Sequence, residues 1–354
     1  TKPTQHSVQE FRRIGLTPNM LVCRSEKRLP HGLKQKLALS CDVEYDSIID
    51  ATDAKTIYEV PLKFLEDHIL RPIAYQFRMD DFKPDMKEWR RLTKRIIEPI
   101  HSVEIAFVGK YASQESYKSL LEALIHAGAW SNAKVKIRWI DSEELNPNNI
   151  DEKLSDADGI LVPGGFGERG IAGKMLAIRY ARENKVVFHG ICLGMQLSVI
   201  EFSRNVLGIS DANSQEFDSE TANPVIYLID EFIDQNGTAQ IRTHTSPLGG
   251  TMRLGEYECI ISEGTKLRAA YGEEKVYERH RHRFEGNNKY IDQLKEKGLI
   301  VSGKSKGLME AVELVDHPWF VAVQFHPEFT SRLQEPNKII LAFIENAIKA
   351  KQEK

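Results

Sequence analysis

The chain is poor in cysteine, with only Cys23, Cys41, Cys192 and Cys259 in 354 residues, and these show no metal-ligand spacing. That argues against a disulfide framework and for a reducing compartment, so a cytoplasmic location is expected. No apolar run reaches transmembrane length, and the opening segment does not read as a signal peptide, so no membrane partner is expected. No charge sign dominates: 48 Lys+Arg against 51 Asp+Glu leave a net −3, which gives no electrostatic case for nucleic acid. Repeats and low-complexity tracts are missing. So is any G-x-x-x-x-G-K-[ST] segment, and no carboxylate cluster stands ready for Mg²⁺, so no ATP site is expected on these residues. The chain starts at Thr1, not Met, and opens in mid-motif, as expected of a piece whose N-terminal part lies upstream.

What is present is ordinary for a soluble α/β protein: 41% apolar, 28% charged, and long enough for about two domains. In residues 1–75, "NMLVCRS" (19–25) and "SIIDA" (47–51) read as strands around a helix, "HGLKQKLALSC" (31–41). This looks like the tail of an α/β domain. Residues 76–101 are charged and punctuated by Pro84 and Pro99, the pattern of a helix-containing linker. A second α/β domain is expected over 102–354. There "SVEIAFVGKY", "KVKIRWID", "ADGILV" and "VVFHG" alternate with helical patterns, which implies a mainly parallel sheet flanked by helices. From 223 on, "NPVIYLID", "GTMRLGEYECII", "GLMEAVELV" and "WFVAVQF" come with little helix between them, suggesting an antiparallel extension, and a helix over 337–350 closes the chain.

Three stretches carry chemistry. In "HGICLGMQ" (189–196), Cys192 sits between Gly190 and Gly194, where a buried strand turns into a helix. Such an elbow lifts the thiol to the carboxyl end of the sheet, beside helix N-terminal N–H groups that favour thiolate and can hold an oxyanion. In "QFHPEF" (324–329), His326 and Glu328 would emerge on one face of an extended chain, about 6–7 Å apart at Cα. The carboxylate can then fix the imidazole tautomer while the other ring nitrogen takes the thiol proton. In "LVPGGFGERG" (161–170) the glycines match neither a P-loop nor G-x-G-x-x-G; Gly165 can instead offer a second oxyanion N–H.

The order P-G-G, G-x-C-x-G-M-Q, H-P-E resembles the class I, triad-type glutamine amidotransferases. "LGGTMRLG" (248–255), "ERHRHRFE" (278–285) and "DHPWF" (316–320) narrow the likeness to the CTP synthase family. "TKPTQHSV" and "IGLTPNMLVCRS" resemble the end of that family's synthetase domain. The likeness covers nearly the whole chain and leaves out the family's first half, with its ATP-binding P-loop and magnesium carboxylates. It implies Cys192 as nucleophile with His326 and Glu328 completing a triad. It implies a glutamine pocket of Gly165, Leu193, Gly194, Met195 and Gln196, with Glu216 on the substrate's α-amino group and Arg283 on its α-carboxylate. It further implies a UTP/CTP site including Thr1, Lys2, Pro3, Thr4, Gln5 and Lys36, with Mg and ATP serving the complete enzyme and no metal or cofactor on this chain. GTP would be an allosteric activator acting from the region of Arg169, and the complete enzyme a homotetramer. His189 stands where the family has an apolar residue, and is expected to be a core histidine. The competing readings are another class I amidotransferase subunit and a non-catalytic filament scaffold.

Overall fold

The structure is a computed structural model that describes residues 1–80, 82–110, 114–229, 231–233, 239–241 and 252–353. Residues 248–251 of the "LGGTMRLG" motif and Asp230 of "NPVIYLID" lie outside the described residues. The chain divides into two compact units, Thr1–Glu98 and Pro99–Lys354.

In the first unit, helix α1 (Lys2–Arg13) starts with Pro3 in its first turn, where a missing N–H costs nothing. Strand β1 (Leu21–Ser25), helix α2 (His31–Cys41) and strand β2 (Ile48–Thr52) form a parallel crossover, with Leu21 opposite Ile48. Val8, Leu37, Cys41 and Ile48 pack together beneath it. Helices α3 (Val60–Glu66), α4 (Leu70–Phe77) and α5 (Lys87–Ile97) follow. The charged stretch expected as a linker is tied down: α5 buries Leu92, and Trp89 Nε1 donates to Tyr58 O at 2.7 Å.

The second unit runs through β3 (His101–Gly109), α6 (Lys118–Trp130), β4 (Ala133–Asp141), α7 (Ile150–Leu154), β5 (Gly159–Val162), α8 (Ile171–Glu183), β6 (Phe188–Ile191) and α9 (Leu193–Asn205). Then come β7 (Ala212–Ser214), β8 (Asn223–Leu228), β9 (Glu231–Ile233), β10 (Ala239–Ile241), β11 (Arg253–Ile261) and α10 (Lys266–Tyr271). The unit ends with β12 (Lys275–His282), β13 (Phe284–Gly286), α11 (Ile291–Glu296), β14 (Leu299–Ser305), β15 (Leu308–Leu314), β16 (Phe320–Val323) and α12 (Lys338–Glu353). Among the described residues, the main sheet has the order β12-β11-β14-β15-β16-β6-β5-β3-β4.

The stretch from β16 to β4 is parallel, and the stretch from β12 to β16 antiparallel. Two expectations are corrected. "WFVAVQF" is not simply part of the antiparallel extension: β16 runs parallel to β6 and antiparallel to β15, so it joins the two halves. "NPVIYLID" leaves the main sheet, since β8 pairs with β7 and β13 in a small separate sheet. Apolar runs reveal burial but not pairing partner, which is why the sequence misplaced both.

Side chains alternate across the sheet. Ala106 and Val108 of β3 face a core shared with α8 and α9; Ile105 and Phe107 face one shared with α6 and α12. Helix α9 lies very close to the sheet. A Cβ on Gly194 would sit 2.2 Å from Val162 O, and one on Gly190 would sit 2.9 Å from Gly194 C. Backbone cannot rotate away as a side chain can, so Gly194→Ala is expected to cost about 3 kcal/mol, roughly 6–12 °C in Tm. Gly32→Ala in α2, where a Cβ meets nothing within 4 Å, is the control expected not to lower Tm in the same thermal scan.

Candidate active site

The elbow places Cys192 at the junction of β6 and α9, with φ 52 and ψ −104, a conformation that L-residues avoid. Its N–H donates to Val323 O at 2.7 Å, pinning it to the neighbouring strand. Leu193 is the first residue of α9, so its N–H is one of the donors a helix leaves without an internal acceptor. Gln324 Nε2 lies 3.8 Å from Cys192 Sγ.

His326 caps a short 3₁₀ turn, Pro327–Phe329, and its N–H donates to Arg279 O at 2.8 Å. The chain here is not extended, as the spacing suggested. Pro327 fixes a turn, and the turn brings Glu328 Oε1 to 2.8 Å from His326 Nδ1. Burial alone would lower the His326 pKa. The Cys192 sulfur and the Glu328 carboxylate outweigh it and raise the group to about 10. The glycine loop comes close to both partners: a Cβ on Gly164 would lie 3.0 Å from His326 Cε1 and 3.4 Å from Cys192 Cβ. Only a residue without a side chain leaves that space open.

Two adjoining cavities share Cys192, Gly165, Phe166 and Arg281. One, about 350 Å³, also includes Lys110, Tyr117, His326 and Glu328 in its wall. The other, about 550 Å³, is lined further by Gln196, Glu216, Met252, His282, Arg283 and Phe284. The second therefore brings together four of the expected glutamine-site residues, Gly165, Gln196, Glu216 and Arg283, with the expected nucleophile Cys192. Burial raises the Glu216 carboxyl, partly offset by the Gly167 N–H, 3.0 Å from Oε1, and by the Arg283 cation. Gln196 Nε2 donates to Phe284 O at 3.0 Å and to Gln324 Oε1 at 3.1 Å.

Other expected residues are placed differently. The side chains of Leu193 and Met195 pack in the core and do not line this cavity, whereas Gln196 of the same helical turn does. Gly194 packs on Val162. His189 is fully buried, its Nδ1 3.0 Å from Val321 O and its pKa pushed down to about 4 by burial; it lines neither cavity. Arg169 pairs with Glu143 at 3.0 Å and donates to Lys110 O at 3.1 Å.

In the first unit, Thr1 leads into α1, which carries Lys2, Pro3, Thr4 and Gln5. Gln5 Nε2 donates to Ser40 Oγ at 2.9 Å, and that hydroxyl donates to Lys36 O, so the expected nucleotide residues share one neighbourhood. Sequence reasoning missed Phe166, Arg281, His282 and Gln324. For Arg281 and His282 the signal was the period-two pattern of β12, in which Glu278, His280 and His282 are buried and Arg279 and Arg281 exposed.

The family model for class I glutamine amidotransferases matches residues 113–346. The chain therefore belongs to the class I glutamine amidotransferase family. A second family model, for the CTP synthase N-terminus, matches residues 1–79. Two curated relatives of this chain are CTP synthases: that of Nautilia profundicola is 64% identical over 99% of this chain, and that of Wolinella succinogenes 63% over 99%. The chain spans 66% and 64% of the length of these two curated relatives. The solved glutaminase domain of Trypanosoma brucei CTPS, with bound acivicin, is 40% identical, with a TM-score of 0.63, over 70% of this chain and 94% of that domain. Among the described residues, no helix is long and apolar enough to cross a membrane.

Proposed function

We propose that the second unit hydrolyses L-glutamine to glutamate and ammonia, as the glutaminase part of a CTP synthase. The observation that supports this most directly is the shared cavity, with the Cys192 sulfur on one side and Glu216 and Arg283 available for an α-ammonium and an α-carboxylate. The Cys192 thiolate attacks the carboxamide carbon. The oxyanion that forms is met by the N–H groups of Leu193 and Gly165. When the tetrahedral species collapses, His326 gives its proton to the leaving nitrogen, and ammonia departs. Water then adds to the γ-glutamyl thioester, with neutral His326 taking its proton, and glutamate leaves. Glu328 holds the ring and stabilises its cationic form throughout.

In the complete enzyme the ammonia would aminate UTP, activated by ATP, to give CTP. GTP would stimulate hydrolysis, and the Thr1–Gln5 and Lys36 neighbourhood would contact the uridine nucleotide. These substrates, the homotetramer and the cytoplasmic location belong to the same proposal. Among the described residues, no group of three or more His, Cys, Asp or Glu is arranged to hold a metal.

Arg283→Ala tests the assignment of the cavity. Loss of one charge-assisted contact is expected to cost about 2–3 kcal/mol, on the order of a hundredfold in kcat/KM for glutamine. Unchanged glutamate release would return the arginine to a solvated basic stripe.

A further inference from the structure

Gln324 follows β16 directly, two residues before His326, and is fully buried. Backbone hydrogen bonds hold it in register with the elbow. Its N–H donates to Glu310 O at 2.7 Å, and the carbonyl of its neighbour Val323 accepts from the Cys192 N–H at 2.7 Å. Its side-chain amide has the Cys192 sulfur 3.8 Å away at one end and Gln196 Nε2 3.1 Å away at the other. Its effect on the sulfur depends on which amide atom faces it. The oxygen would repel a thiolate, and an N–H would stabilise one.

A backbone carbonyl decides the orientation. Phe284 O can only accept, and it lies 3.0 Å from the Gln196 amide. Gln196 must turn its NH₂ that way, because its own oxygen would set two acceptors against each other. The same nitrogen offers its second hydrogen to Gln324. Gln324 can meet a donor only with its oxygen, so its NH₂ is left on the side of Cys192. The order runs from a main-chain group that cannot flip, through two buried amides, to the reactive atom. With Gln324 0% exposed, bulk water does not compete for its N–H.

We propose that Gln324 is a further catalytic residue: oriented by Gln196, it donates an amide hydrogen to the Cys192 sulfur and stabilises that sulfur whenever it carries negative charge. That happens twice in the proposed turnover. The thiolate gives an electron pair to the carboxamide carbon as the C–S bond forms. After water has added to the thioester, the C–S bond breaks and the pair returns to sulfur, where a donor already in place assists the departure. Protons move through His326 in both steps; the amide of Gln324 moves none. Gln324 lines neither cavity, so it acts on the sulfur and not on the bound amino acid. The inference rests on the reading of the cavity as a glutamine site, but its first test does not.

That test is alkylation of Cys192 by iodoacetamide, without glutamine, followed by peptide mass mapping of the whole chain in the parent and in Gln324→Met. Methionine keeps the length, and its thioether accepts weakly from Gln196 but donates nothing to Cys192. Losing a donor to a charged acceptor disfavours the thiolate about tenfold, so the variant-to-parent ratio of labelling rates should climb about tenfold between pH 5 and pH 10. Any change in the intrinsic nucleophilicity of the thiolate multiplies both ends of that range and cancels. A site that was merely loosened would change the rates by the same factor at every pH. Gln324→Leu, expected to show the same climb, is the second route should the methionine variant not fold. The second test is kinetic: kcat for glutamine at pH 7 should fall about tenfold in Gln324→Met, with KM within about twofold of the parent's. A flat labelling ratio, or a glutamine effect confined to KM, would overturn the assignment. A parent that hydrolyses no glutamine would count against the proposed function, and the labelling ratio would then decide the role of Gln324 by itself.

Discussion

Cys192→Ala is expected to abolish glutamate release, a loss on the order of 10⁴–10⁶-fold in kcat, because it deletes the proposed nucleophile from the wall of both cavities. The same substitution should abolish labelling by a glutamine-mimicking electrophile, detected by mass spectrometry on the intact chain. One cysteine of the four should carry the label. Burial raises the thiols of Cys23, Cys41 and Cys259 and keeps them protonated at neutral pH, whereas Cys192 borders both cavities. Turnover surviving in the alanine variant, or a label on Cys259, would remove Cys192 from the mechanism.

His326→Ala comes next in size, with an expected drop of about 10³–10⁴-fold in kcat. It takes away the proposed proton donor for departing ammonia. Glu328→Gln should fall only about 10–100-fold, because an amide oxygen still accepts from Nδ1 and keeps the ring in place. The direction of its pH response follows from charge. The carboxylate helps raise the His326 pKa, so its removal lowers that pKa, and the alkaline limb of the rate should move to lower pH. Parent-like rates in both variants would require a different proton donor. His189 cannot supply it from its place, buried behind the sheet with its pKa near 4 and outside both cavities.

Local signals carried much of this into the sequence. Helix α2 was expected over 31–41 and runs His31–Cys41, and β2 was displaced by one residue from its expected span. Turn residues and apolar periods mark such segments without help from distant parts of the chain. The elbow was legible because two glycines around a cysteine have few other uses. The H-P-E turn was legible as chemistry but not as shape, since extended and 3₁₀ backbones both put positions 326 and 328 within reach and only Pro327 hinted at the difference. The buried side of β12 was hidden by composition. "RHRHR" reads as a solvated stripe until β11, β13 and β15 bring Arg253, Glu285 and Glu310 against its histidines. Long-range pairing of that kind has no local signature.

The backbone of Cys192 carries a further consequence. A side chain held at φ 52 and ψ −104 costs on the order of 1–3 kcal/mol that glycine would not incur. The polypeptide would thus be more durable with its reactive atom deleted: at this one position, resistance to heat and capacity for turnover select opposite residues. Any search for heat-resistant variants by survival alone would be drawn toward glycine at 192. A library screened in that way must therefore also be screened for ammonia release, or its hardiest members will be inert.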